Sequence, residues 1–431
     1  MPNVNSSAAP AMHPLHRVPN LLIAAFPAAS LAIPRAANTL IIVASLIALC
    51  LCFQRAYRDA VMLSIRETSV RTFCYAMAAP IAAILLVEVW HDQLVASTLD
   101  SASRFLMAIP IFLILRTRRL EIAPWTGLSF AVGGISAAAV TVVAPYDWGG
   151  GRIGSTFLNP IHFGDIATIL FVLSLMSIHW LARDNRPILG LKILGAACAG
   201  YASLAGGSRG GWVALPLIAL VLIGVGMHKR PWVTKFAALI AAIIFISLPM
   251  KYAPIVMSRF DEIGTELSAM KHGDDDTSVG VRLKLYQAGV MLFTEHPWVG
   301  LGANGYKHAM APLAQEDILT PHAAQLGRGE THNQIIAYAV DYGILGLFAS
   351  LGLYLVPWLM FWRHRHASAP VDRRTALMGL IFVLSFFVFG LTVDTFTLKL
   401  TASVYAGILA VLAGLAPARV TENIPISARP N

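Results

Sequence analysis

Twelve stretches of this chain stay apolar for about as long as a helix needs to cross a bilayer, roughly 20 residues. They fall near 19–34, 37–54, 73–91, 101–115, 124–145, 161–182, 188–206, 210–227, 232–250, 333–362, 375–394 and 397–416. The chain is 57% hydrophobic and only 13% charged, against about 25% charge in an ordinary soluble domain. A soluble fold of 431 residues has no interior large enough for that apolar surface, so the class is a polytopic membrane protein. Hydrocarbon offers the backbone no hydrogen bonds, so the spanning segments must be helices that satisfy their own. One long polar block, 251–332, interrupts the pattern and gathers arginines, histidines, carboxylates and glycines.

The loops fix an orientation. Alternate loops carry Arg55, Arg58, Arg66 and Arg71, then Arg116, Arg118 and Arg119, then Arg183 and Arg186, then Lys229 and Arg230, then Arg363, Arg365, Arg373 and Arg374. The short loops on the other side hold Arg35, Arg152, Arg209 and Lys399. Positive residues stay cytoplasmic, so both termini are expected inside and the 251–332 block outside. The first apolar stretch contains Pro27, lacks a small-residue cleavage pattern and is followed at once by a second span, so it reads as a retained helix. The expected organisation is a disordered cytoplasmic N-terminus at 1–18, transmembrane helices 1–9 at 19–250, an external loop domain at 251–332, helices 10–12 at 333–416 and a cytoplasmic tail at 417–431.

The net charge of +9 belongs to this topology. Its basic residues are scattered over short loops without interleaved aromatics, which excludes a nucleic-acid surface. Cys50, Cys52, Cys74 and Cys198 lie in or beside apolar helices, so they suggest helix packing and neither a disulfide framework nor a thiolate metal site. There is no internal repeat of the transporter kind.

Three residues stand out as chemistry. Arg209 sits in Ala205-Gly-Gly-Ser-Arg209-Gly-Gly-Trp212 between two spans. A boundary arginine can simply snorkel to headgroups. Flanking glycines and a helix start, however, suit a phosphate. Arg282 opens an amphipathic helix, with Val281, Leu285, Ala288 and Leu292 on one face and Arg282, Tyr286 and Gly289 on another. It is either a solvated residue or, since a cation is disfavoured at a helix start, the partner of an external anion. His332, in Gly329-Glu330-Thr331-His332-Asn333, stands at the mouth of a span. It reads as a helix-cap histidine or as a general base kept neutral by nearby cations.

Other motifs carry less. Gly300-Leu-Gly302-Ala-Asn-Gly305 matches a dinucleotide fingerprint but follows no strand, and a tight turn after Glu295-His296-Pro297-Trp298 explains it better. Asp274-Asp275-Asp276 reads as a solvated loop rather than a metal site. His364 and His366 end a helix. Asp394, at the outer end of the eleventh span, could orient His332 or pair with Lys399, and Arg152 could add charge to the same outer pocket.

A glycine-framed arginine between spans, then R-x-x-x-Y, then H-P-W-x-G-x-G-x-x-G-Y, then T-H-N before a span containing Y-G-I-L-G, resembles the O-antigen ligase and polymerase superfamily. The matching stretches are 206–212, 278–306 and 331–346, with a weaker one at 152–160. The resemblance implies a GT-C-like, all-α polytopic fold of about twelve transmembrane helices in a bacterial inner membrane, with one large helical periplasmic loop. It implies an inverting, metal-independent glycosyltransferase without cofactors. Such an enzyme takes O-antigen glycan from undecaprenyl diphosphate and gives it to lipid A–core, completing lipopolysaccharide. His332 would be the base, Arg209 and Arg282 would hold the diphosphate, and Arg152, Asn333, Glu330, Tyr286 and Asp394 would support them. Polymerases and protein-glycosylating ligases share much of this pattern, and a lipid or sugar transporter is the alternative from another class.

Overall fold

The computed structural model describes residues 14–117, 122–252 and 276–417, with Thr265 and Ser268 between the last two. Sixteen α-helices run through them: α1 Pro14–Ala29, α2 Ala36–Phe53, α3 Arg55–Arg66, α4 Thr68–Trp90, α5 Ala96–Arg116, α6 Leu128–Val143, α7 Pro160–Met176, α8 Arg186–Gly206, α9 Arg209–Val221, α10 Trp232–Tyr252, α11 Ser278–Glu295, α12 Gly305–Gln315, α13 Pro321–Gly327, α14 Gln334–His364, α15 Pro370–Gly390 and α16 Lys399–Leu415. Two-residue strands β1 (Tyr146–Asp147) and β2 (Ile153–Gly154) form a small hairpin around Gly149–Gly151. The fold is that of an all-α polytopic membrane protein. Eight helices are long and apolar enough to cross a membrane, and four shorter apolar helices accompany them. Together they fall on the twelve apolar stretches of the sequence. The amphipathic α3 is an addition, lying where the sequence reads as a loop.

The spans are less free of charge than the sequence suggests. Glu88, Arg104, Asp165 and Lys192 are all buried within helices. They are tolerated because partners meet them near the helix ends. Glu88 accepts hydrogen bonds from the Val95 N–H (2.8 Å) and the Thr98 hydroxyl (2.5 Å), and Arg104 pairs with Asp100 at 2.5 Å.

Two apolar cores divide the molecule. The large one runs through the bundle and centres on α15 and α16, where Phe382, Phe386, Phe396 and Tyr405 pack ring against ring. The smaller one joins α11, α12 and α13: Val281, Leu285, Ala288 and Leu292 form the buried face predicted for α11, closed over Tyr306, Met310, Leu313 and Ala323. The end of the bundle that carries α11–α13 is called the loop end below.

The glycine-rich Gly300-Leu-Gly302 segment has a structural role. α14 is broken at Gly343, whose φ of 61° and ψ of −149° are not helical. The break frees carbonyls, and the segment satisfies them. The Leu301 N–H bonds Val340 O and the Gly302 N–H bonds Asp341 O, both at 2.9 Å, while the Ile344 N–H reaches Pro297 O at 2.7 Å. The backbones approach so closely that a Cβ on Gly300 would lie 2.5 Å from Val340 O, and one on Gly343 2.5 Å from Trp298 O. Only glycine fits both positions. This anchors the loop helices directly on α14, at the end where Thr331, His332 and Asn333 enter the span.

Candidate active site

Asn333 caps α14: its side chain accepts the Ile335 and Ile336 N–H groups at 3.0 and 3.1 Å. His332, the residue before it, has φ 60°, a left-handed conformation costing a non-glycine residue on the order of 1–2 kcal/mol. Such an outlier persists only where its surroundings impose it, and here they do. Asp394 grips the backbone on both sides, with Oδ2 accepting the Thr331 N–H at 3.0 Å and Oδ1 the Asn333 N–H at 3.1 Å. The Tyr286 hydroxyl lies 2.8 Å from both the His332 and the Leu391 carbonyl oxygens, and its single hydrogen is shared between them. The peptide is fixed on three sides while the imidazole stays available.

For Asp394 only the expected pairing with Lys399 is corrected. Asp394 lies past the end of α15, in the 391–398 connection, and meets the His332 segment through the Thr331 and Asn333 N–H groups. Lys399 pairs instead with Asp100, at 2.5 Å. The carboxylate nearest the ring is Glu330, with Oε2 3.9 Å from His332 Nδ1. Glu330 Oε1 also accepts the Asp394 N–H at 2.6 Å. Two acidic side chains thus share one small volume.

Electrostatics follow from this crowding. Burial lowers the His332 pKa to about 4, and the Arg282 guanidinium adds to the effect, so the imidazole is neutral near pH 7. Burial pushes the Glu330 and Asp394 carboxyls up, and the nearby Asp394 adds to the rise at Glu330. Arg282, four residues before Tyr286 on α11, acts on His332, Glu330 and Tyr286 alike. Its Nη1 is held by the Ser278 hydroxyl at 2.8 Å, and its buried Nε has no hydrogen-bond partner.

Arg209 arrives from another direction, as the first residue of α9. Before it, the Ser208 hydroxyl donates to Asp165 Oδ1 at 2.5 Å. After it, Gly210 packs so tightly that a Cβ would lie 2.7 Å from Thr392 Oγ1, and the Thr392 backbone is the hydrogen-bond partner of the His332 ring. Arg152, on the hairpin, acts electrostatically on Asp165. The start of α9 therefore abuts the connection that holds His332, and α11 covers the same place.

The sequence reading missed His162, Asp165, Ser208 and Thr392. His162 is buried in the first turn of α7 and feels the charge of His332, and Asp165 acts on Glu330. A histidine and a carboxylate three residues apart at the start of an apolar span were the available signal, since ionisable residues there are costly. Asp274 and Asp275 lie outside the described residues, and Asp276 accepts a hydrogen bond from Thr320. Among the described residues no three His, Cys, Asp or Glu side chains gather as metal ligands. A small apolar crevice of about 40 Å³, lined by Leu22, Phe26, Ile111, Trp180 and Ile408, lies among the spans away from these charges.

Fold and site together define a multi-pass membrane protein with a half-buried polar centre at one end of its bundle. Residues 194–351 match the family model described as O-Antigen ligase. Over 300 residues, 67% of this chain and 72% of the relative, the chain is 22% identical to an uncharacterized protein of Haemophilus influenzae. Over 185 residues, 42% of this chain, it is 24% identical to an O-antigen ligase of Escherichia coli K12, and the match spans 43% of that ligase. The matched segment is similar to the O-antigen ligase family over part of the chain and supports a membrane glycosyltransferase of the ligase or polymerase type. It contains Arg209, Arg282, Glu330 and His332.

Proposed function

We propose that this protein is an inverting, metal-independent glycosyltransferase. It would move O-antigen glycan from undecaprenyl diphosphate to lipid A–core at the periplasmic face of the bacterial inner membrane. The observation that carries the reading is the clamped His332: a neutral imidazole beside an arginine, on a strained peptide held by Asp394 and Tyr286, within a segment matching the O-antigen ligase family.

In this reading Arg282 and Arg209 bind the donor diphosphate, the planar guanidinium matching its oxygens. His332 takes the proton of the acceptor hydroxyl. The acceptor oxygen then bonds to the anomeric carbon from the face opposite the phosphate. The anomeric carbon–oxygen bond breaks, and its electron pair leaves with the diphosphate. The arginines stabilise the charge gathering there, on the order of 3–4 kcal/mol per donor.

An isolated imidazole with a pKa of about 4 is a weak base. The bound diphosphate changes that, because its negative charge offsets Arg282, the second cause of the depression. Basicity thus rises when donor is present. The two guanidinium groups supply the positive charge a divalent ion would bring, so no metal is assigned to the reaction.

The test is transfer by purified protein from undecaprenyl-diphosphate glycan to lipid A–core in excess chelator. Product with an inverted anomeric centre is expected. Dependence on added magnesium or manganese would remove the metal-independent mechanism. Elongation of the lipid-linked glycan, with lipid A–core left unmodified, would make the protein a polymerase.

A further inference from the structure

We propose that Asp165 is a positioning residue for Arg209, setting the place of the diphosphate-binding guanidinium from a neighbouring helix. The inference rests on the reading of Arg209 as a donor ligand.

A helix start leaves backbone N–H groups without partners, and a side chain of the same segment normally caps them. In α9 that local cap is weak, with the Gly211 N–H 3.5 Å from the Ser208 hydroxyl oxygen. Asp165, on α7, supplies what is missing. It accepts the Ser208 hydroxyl at 2.5 Å and the Gly211 N–H as well. A carboxylate beneath a helix N-terminus also meets the positive end of the dipole.

The opposite side of the same turn is closed by Thr392. A Cβ on Gly210 would sit 2.7 Å from Thr392 Oγ1 and 3.5 Å from Asp165 Oδ1. The peptide bearing Arg209 is therefore wedged between Asp165 and the residue whose backbone holds the His332 ring. Asp165 is only 2% exposed, and its Oδ2 has no hydrogen-bond partner. An incompletely paired carboxylate at such a depth is expensive. A cap alone could come from a neutral side chain on α9 itself. A rigid reference on α7 for the Arg209 backbone could not.

The experiment measures binding of undecaprenyl diphosphate to purified protein in detergent, with thermal melting as the check on folding. Asp165→Ala is expected to weaken binding roughly 10- to 100-fold, the scale of an ångström-sized misplacement. Asp165→Asn should recover most of the loss, because its amide oxygen still accepts from Ser208. In an Arg209→Lys background the same Asp165→Ala change should add less than about twofold, since coupled residues are not additive. Equal losses in both backgrounds, or wild-type binding by Asp165→Ala, would overturn the proposal. Ser208→Ala carries the same comparison if Asp165→Ala does not fold. Wild-type protein that binds no undecaprenyl diphosphate would defeat the donor-site reading itself, and this inference with it.

Discussion

Buried charge appears at both ends of the bundle, and the two ends treat it differently. At the end opposite the loop helices, Lys192 Nζ donates to Ser177 O at 2.6 Å and to both oxygens of Asp184 at 2.9 Å. Three donors meet three acceptors. Burial alone would raise the Asp184 carboxyl, but the His179 N–H and the Lys192 ammonium outweigh it and hold the carboxyl below its usual range. At the loop end burial wins. The Glu330 and Asp394 carboxyls are pushed up, the His332 imidazole is pushed down, and Arg282 Nε and His332 Nδ1 lack hydrogen-bond partners. Glu330 and Asp394 accept backbone N–H groups, while Arg282 Nη1 rests on the Ser278 hydroxyl. One cluster is complete in the folded chain. The other leaves Arg282 Nε and His332 Nδ1 without hydrogen-bond partners.

Substitutions can break that contrast. The largest effect is expected for His332→Ala, a loss of about 10²–10⁴ in transfer rate, with donor binding and melting temperature close to wild type. Unchanged turnover would remove the base assignment. Arg209→Lys and Arg282→Lys come next. An ammonium lacks the planar fork, so kcat/KM should fall by about 10²–10³, and kinetics on the intact donor decide it. Lys192→Met should act on stability instead. Removing the partner of half-buried Asp184 costs on the order of 1–3 kcal/mol, read as a lower melting temperature, while transfer per folded molecule stays near wild type. If Lys192→Met changed the donor KM, the two ends would not be separate.

Asp394→Asn falls between these behaviours. The amide keeps one acceptor oxygen for two N–H groups, so about 1–3 kcal/mol of stability and part of the activity should go together. The smallest effect is in pH. His332 has a folded pKa below that of the unfolded chain, so the unfolded state binds its proton first. Its burial costs nothing above about pH 6.5. Stability is lost progressively as pH falls toward the folded value of about 4. The melting-temperature gap between His332→Gln and wild type should therefore widen in favour of the variant between pH 6.5 and 4. A constant gap would mean the imidazole is not held neutral by its surroundings.

Much of the molecule is legible in its residues. Twelve apolar runs become twelve helices, because hydrocarbon leaves the backbone no other way to satisfy its hydrogen bonds. The buried face of α11 follows from helical periodicity, and the Gly300-Leu-Gly302 turn from its glycines. The site was legible only in part. Arg209, Arg282 and His332 are conspicuous as polar residues beside apolar ones, whereas Asp165 and Thr392 sit unremarked in apolar surroundings. Their importance depends on which helices touch.

Local pattern therefore determined which segments are helices and where polar residues interrupt them, since periodicity and hydropathy act over a few turns. Only the tertiary structure decided that Asp394 holds the His332 backbone rather than Lys399, that the glycine loop fills the break in α14, and that α7 caps α9. Those outcomes depend on contacts between residues 39 to 63 positions apart in the chain, and packing of whole helices, rather than any local preference, brings such partners within hydrogen-bond reach.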